Sequence, residues 1–191
     1  MELKEAREQL QFAREHLECI KRVKNHSEFR KWWQAFRTCI STACNSAENK
    51  LEDLGYHKGN HIRNLINEVK EKKETQYLIM ARSAAFHKTD PISEVELGWI
   101  KMSPGDRPKG IEQPDGSVVY PQHTLLKINL KHSHIKLLPV INRSVEYPVP
   151  TSMAQGTEEA HSATSLGQCA IEQIQGAIDH MELLISRCQR R

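Results

Sequence analysis

The sequence predicts a mainly α-helical fold in which a helical bundle is interrupted by a β-rich insertion before the C-terminal helix. Apolar residues recur at steps of three and four over most of residues 3–84 and again over residues 166–188, as amphipathic helices require. Over residues 91–156 this periodicity disappears, prolines concentrate and β-branched residues become frequent. We therefore expect residues 1–90 and 157–191 to form the bundle and residues 91–156 to form the insertion, within a single domain.

The first two helices are predicted from their apolar stripes and end signals. Helix one runs from Leu3 to about Arg22, because its apolar residues alternate steps of three and four and so form one stripe. Helix two begins at Asn25, which with Glu28 resembles a capping box, and ends at Gly55, a common C-terminal stop.

A third helix is predicted from Asn60, a suitable N-cap, to the neighbourhood of His87 to Asp90, because Pro91 cannot continue it. Its middle segment, VKEKKETQ, is charged on every side, so we expect that section to be solvated. The C-terminal helix covers residues 166–188, and its basic end suits the negative end of the helix dipole.

Strands are predicted within the insertion from alternation and turn residues. The segment TLLKINLK, residues 124–131, alternates apolar and polar side chains as a half-buried strand does. Its partners are expected within residues 93–102, 117–120 and 144–149, with a turn at residues 114–116.

Composition and charge exclude several classes of protein. The net charge of +3 and the pI of about 8.6 permit a polyanionic partner but are weaker than the charge of a DNA-coating protein. No apolar run approaches the roughly 20 residues that span a bilayer, and the N-terminal segment MELKEAREQL is charged where a signal peptide is apolar. The five cysteines contain no C-x2-C pair and suggest small core residues. We therefore expect a cytoplasmic protein without membrane contact.

The segment YLIMARSAAFHKTDP, residues 77–91, carries Arg82 and His87 near the end of a predicted helix. Five residues advance about 140° beyond a full turn, so the two side chains do not share one face of an unbroken helix. They can converge where the helix frays, where long side chains bend toward one groove, or across a two-fold dimer. Without further context, a surface ion pair and a partly buried histidine explain the same residues.

Arginine and histidine together can cleave RNA by internal transesterification without a metal. His87 would take the proton from a ribose 2′-OH or give one to the leaving oxygen, since histidine titrates near neutral pH. Arg82 would hold the phosphate, and Ser83 would donate a further hydrogen bond. Only RNA carries the 2′-OH, so DNA is excluded as a substrate of this route.

The stretch YLIMARSAAFH resembles the signature of the HEPN superfamily (higher eukaryotes and prokaryotes nucleotide-binding), an Arg followed after four to six residues by His at the end of a helix. The resemblance implies a four- or five-helix bundle and a metal-independent endoribonuclease that works as a homodimer, with Arg82 and His87 at the hallmark positions. It also implies a place in toxin–antitoxin, phage-defence or RNA-processing systems, and hence an antitoxin or other protein partner. The residue after the arginine is commonly Asn, Asp or His in the family and is Ser83 in this chain.

Further RNA contacts are expected from basic residues around the motif and on the predicted strand: Lys88, Lys127, Lys131, His132 and His134. The last two form an H-x-H pair with metal-ligand spacing, but no acidic residue or cysteine lies close in sequence, so we expect no metal and no cofactor. The alternative function is a non-catalytic HEPN-like module that binds protein or nucleic acid, and a third is a small-molecule or nucleotide-binding role.

Overall fold

The computed structural model is mainly helical and describes residues 3–87, 93–96, 111–112, 118–119, 134–154, 157–160 and 162–190. Two compact units are formed, one by Met1–Glu94 with Lys136–Arg191 and the other by Val95–Ile135. The first unit carries the five helices of the described residues. The mainly α fold class is therefore confirmed.

Helices α1 (Lys4–Lys21) and α2 (His26–Asp53) pack against each other along most of their length. The predicted stripe of α1 is its buried face, which consists of Leu3, Ala6, Leu10, Ala13, Leu17 and Ile20. On α2 the aromatic rings of Phe29, Trp33 and Phe36 stack in sequence within the core. These contacts hold α2 in the core.

Both predicted ends of α2 are confirmed. The side chain of Asn25 accepts a hydrogen bond from the backbone N–H of Glu28 at 2.9 Å. At the other end Gly55 has a φ of +85°, and the N–H of Tyr56 donates to the carbonyl of Leu51 at 2.8 Å. This is the Schellman arrangement, in which glycine takes the left-handed conformation most easily.

The prediction of one continuous third helix is wrong. The structure has two helices, α3 (His61–Glu71) and α4 (Lys73–His87), separated at Lys72, whose backbone is extended with a ψ of 137°. The charged segment at the break has few apolar side chains that could pack a continuous helix against the core. The backbone hydrogen bonds of α3 can therefore end there. The new helix buries Tyr77, Leu78, Ala81 and Ala84.

The C-terminal helix, α5 (Ala163–Cys188), is confirmed and begins at Ser162, whose hydroxyl accepts a hydrogen bond from Ser165 N–H at 3.2 Å. Its buried face contacts α1, α2, α3 and α4. At Gly167 the helix comes so close to its neighbours that a Cβ atom would lie 2.7 Å from Cδ1 of Leu17. Thus α5 completes the core of the first unit.

The described strands are short and pair in twos, β1 with β4, β2 with β3, β5 with β6 and β7 with β8. Their bounds are β1 Ser93–Glu96, β2 Ile111–Glu112, β3 Val118–Val119, β4 His134–Leu137, β5 Val140–Asn142, β6 Val145–Tyr147, β7 Thr151–Ala154 and β8 Thr157–Ala160. The predicted strand of residues 124–131 and the turn of residues 114–116 lie outside the described residues.

Residues 136–150, which the sequence assigned to the insertion, belong to the first unit and pack against α4. The hydroxyl of Tyr77 donates to the carbonyl of Leu138 at 2.7 Å, and the amide of Asn142 donates to Sδ of Met80 at 3.2 Å. Leu137 and Val140 are buried. This segment therefore holds the outer side of α4.

Two further sequence expectations concern membranes and thiols. Among the described helices, each is too short or too polar to cross a bilayer. All five cysteines are free thiols, of which Cys39 and Cys44 are buried, whereas Cys188 is exposed instead of packed in the core. Burial raises the pKa of Cys44 to about 12, so this thiol is inert at neutral pH.

Candidate functional site

Arg82 lies where α4 packs on α2. Its side chain is half-buried, and Nη1 donates to Oγ of Ser41 at 3.4 Å. Ser41 is itself buried on α2. The residue that the sequence placed at the centre of the site therefore points toward a neighbouring helix and is held there by at least one polar contact.

A second arginine, Arg37, is buried at the same helix crossing with only 2% of its surface exposed. Its Nε donates to the carbonyl of Trp33 at 3.3 Å, and Nη1 donates to the carbonyl of Ala81. Burial lowers the pKa of Arg37 to about 10, which still leaves the guanidinium charged at neutral pH. The buried guanidinium of Arg37 is thus bonded to the backbone of Ala81, the residue that precedes Arg82.

Arg37 and Arg82 open into the same small cavity, whose volume is about 20 Å³. The other described residues that line it are neutral: Gln34, Thr38 and Ala85. The hydroxyl of Thr38 donates to the carbonyl of Gln34 at 3.0 Å, so it can still accept a hydrogen bond. The cavity is a positively charged niche with room for roughly one water-sized group.

His87 is the last residue of α4, and its side chain lies outside the described atoms. The helix continues to His87 without a break after Arg82, so the two residues do not approach by fraying between them. On such a helix their Cα atoms are separated by about 7.5 Å along the axis and about 140° around it. Of the three routes to convergence, bending of the side chains and a two-fold dimer remain.

The other predicted site residues fall in different parts of the chain. Ser83 is half-buried on α4, next to Arg82. Lys88, Lys127, Lys131 and His132 lie outside the described residues, and His134 begins β4 with its side chain undescribed. The contacts of these residues with RNA therefore stay predictions.

Two further features bear on ligand binding, the acidic, histidine and cysteine side chains and a second cavity. Within the described ranges no group of three or more His, Cys, Asp or Glu side chains is arranged to hold a metal ion. A cavity of about 300 Å³ lies between α4 and the segment from Tyr147 to Thr151. Tyr77, Tyr147 and two prolines line it, together with Lys73 and Gln76.

Sequence reasoning missed Arg37, although the sequence carries a signal for it. Arg37 falls on the apolar stripe of α2, four residues after Trp33 and next to Phe36, where a charged side chain faces the core. Arginine is seldom fully buried unless it is paired, so such a position calls for a partner. Gln34 and Thr38 carry no comparable signal, because polar residues are ordinary on an exposed helix face.

No family model, no curated protein and no solved structure matches this chain.

Proposed function

We propose that this protein is a metal-independent endoribonuclease of the HEPN type, with Arg82 and His87 at its reactive centre. The proposal is supported by the cavity at the crossing of α2 and α4, which Arg82 and the buried Arg37 both line. Guanidinium groups are the side chains best suited to bind phosphate oxygens. The resemblance of YLIMARSAAFH to the family motif supplies the reaction class.

The reaction is internal transesterification at one phosphodiester of the RNA. His87 takes the proton of the 2′-OH, the 2′ oxygen attacks the adjacent phosphorus, and the bond from phosphorus to the 5′ oxygen breaks. The leaving oxygen receives a proton, which gives a 5′-hydroxyl end and a 2′,3′-cyclic phosphate end. Arg82 stabilises the charge that builds on the phosphoryl oxygens, and Ser83 supplies a further hydrogen bond.

A homodimer is the working unit of this proposal. Because α4 is continuous from Arg82 to His87, the two residues start from different faces of one helix. A two-fold axis near this helix would set Arg82 of one protomer opposite His87 of its partner. Each dimer would then hold two composite sites, and an antitoxin or other protein would inhibit the enzyme by covering them.

The alternative function, a non-catalytic binding module, is favoured by the larger cavity. Tyr77 and Tyr147 give this cavity aromatic walls, and Lys73 gives it a cation at the edge. Such a combination suits a base or an aromatic side chain of a partner. In that case RNA or protein would bind, but no phosphodiester would be cut.

Cleavage rates of a mixed RNA pool in EDTA test the proposal. We expect His87→Ala and Arg82→Ala each to lower the rate by about 100-fold or more, the usual contribution of an acid–base group or an oxyanion donor. His180→Ala is the matched control, because His180 is an exposed histidine on a different helix, α5. Intact RNA with the wild type, or equal rates for His87→Ala and His180→Ala, would favour the binding module.

Subunit mixing tests the composite site. If each site takes Arg82 from one protomer and His87 from the other, a heterodimer of the two alanine variants retains one complete site. We expect a mixture of the inactive variants to recover up to about a quarter of the wild-type activity, since half of the dimers formed at random are heterodimers with one site of two. No recovery after confirmed subunit exchange would assign both residues to the same protomer.

A further inference from the structure

Among the described residues two arginines are buried, and one of them, Arg63, has acidic neighbours. Arg63 on α3 is 5% exposed and lies 3.1 Å from Oε1 of Glu48 and 3.2 Å from Oε2 of Glu52. Arg37 is 2% exposed, and among the described residues no carboxylate lies within ion-pair distance of it. Carboxylates thus balance the charge of Arg63, whereas the hydrogen-bond acceptors of Arg37 are two backbone carbonyls.

A buried cation without a counter-ion is costly, because carbonyl oxygens replace only part of the hydration that it loses. The guanidinium has five N–H donors, and the two recorded bonds occupy Nε and one N–H of Nη1. Three N–H donors of Arg37 are left over from these two bonds, and Arg37 lines the cavity. An anion entering the cavity would satisfy both the charge and these donors.

The size of the cavity limits what can enter. A volume of about 20 Å³ admits one oxygen-sized group and excludes a whole phosphate. A single phosphoryl oxygen fits, in a cavity that Gln34, Arg37 and Arg82 line, with the remainder of the phosphate outside it. A carboxylate oxygen carries less charge and offers fewer acceptors outside the cavity.

We infer that Arg37 and Arg82 form a two-guanidinium site for one phosphoryl oxygen, and that its ligand is a phosphate group of the RNA backbone. The inference deepens the proposed function, on which the identity of the RNA ligand rests. Binding of phosphate itself does not depend on cleavage. Arg37 is then a phosphate-binding residue, in addition to its contact with the backbone of α4.

Thermal unfolding in inorganic phosphate, compared with chloride at equal ionic strength, tests the site. With about 50 mM phosphate and a dissociation constant of about 5 mM, ligand linkage predicts a rise in Tm of roughly 3–5 °C. Phosphate also stabilises folded proteins without binding, so the decisive quantity is the difference between variants.

Gln34→Glu is the decisive variant, because it is nearly isosteric and adds a carboxylate three residues from Arg37 on α2. We expect it to raise Tm in chloride and to remove the specific rise in phosphate, since the new carboxylate occupies the place of the ligand. Asn45→Asp, which adds the same charge at an exposed position of α2, is its control and should keep the full rise. Equal responses of these two variants would overturn the site.

Arg37→Gln supplies the complementary test, with Arg30→Gln as the control for loss of one charge at an exposed position of α2. The phosphate response should vanish in the former and persist in the latter. A 2′-O-methyl RNA, which cannot be cut, should bind Arg37→Gln at least tenfold more weakly than Arg30→Gln. Phosphate binding without RNA cleavage would refute only the nuclease, whereas cleavage with unchanged phosphate responses in Arg37→Gln and Gln34→Glu would refute only this site.

Discussion

Gly167→Ala tests the close packing that holds α5 against the first two helices. The added Cβ would lie 2.7 Å from Cδ1 of Leu17 and 3.0 Å from Cζ of Phe36. Both neighbours are buried, and the ring of Phe36 stacks on Trp33 with a centroid distance of 5.3 Å, so neither side chain can move away freely. Overpacking of this kind costs about 1–3 kcal/mol of unfolding free energy.

The matched control lies on the same helix. Gly176 is exposed, and a Cβ there would meet no atom within 4 Å beyond its chain neighbours and the nearby backbone of its own helix. Alanine is favoured over glycine inside a helix by about 1 kcal/mol, so Gly176→Ala should stabilise the protein. Because this propensity gain applies at both positions, the difference between the two variants isolates the packing cost at Gly167.

Urea unfolding followed by circular dichroism gives the two free energies. We expect Gly167→Ala to be less stable than Gly176→Ala by about 1–3 kcal/mol, with similar m-values. If the two variants were equally stable, the close approach of α5 to Leu17 and Phe36 would be wrong. The packing of α2, and with it the position of Arg37, would then need revision.

Two further predictions concern the ion-pair network and the start of α2. Hydrogen bonds from Lys70 and then Arg63 lower the pKa of Glu48 below its ordinary value of 4.5, so its contribution to stability is present above that value and is lost as the pH falls through the folded-state pKa. In urea unfolding at pH 7, Glu48→Gln should therefore be less stable than the wild type by roughly 1–2 kcal/mol. This difference in unfolding free energy should disappear in acid, and a difference that does not change with pH would contradict the role of the Glu48 carboxylate. Asn25→Ala should cost about 1 kcal/mol through loss of the cap, whereas Asn25→Asp should stay within a few tenths of the wild type; equal losses in both would reject the cap.

Local signals predicted much of the helical frame. The stripe of α1, the cap at Asn25 and the stop at Gly55 depend on residues within a few positions of each other, and the structure contains all three. The break at Lys72 was missed because periodicity on either side of a charged segment is compatible with one helix or two.

The candidate site was only partly predictable for the same reason. Arg82 was found from its motif, but Arg37 reaches it through a bond to Ala81, 44 residues away in sequence. Contacts at that separation depend on how α2 crosses α4, which apolar spacing within each helix does not fix. Only the folded structure shows that no described carboxylate lies within ion-pair distance of Arg37.

The chemistry of the product ends shows whether the protein cleaves RNA by attack of the 2′-OH. RNA would be incubated with the purified protein in EDTA, and the termini identified by mass spectrometry, with the same RNA carrying 2′-O-methyl groups as the control. We predict 5′-hydroxyl and 2′,3′-cyclic phosphate ends from the unmodified RNA, their loss in His87→Ala, and no cleavage of the methylated RNA. Uncut RNA, 3′-hydroxyl ends, or equal cleavage of the methylated strand would contradict it.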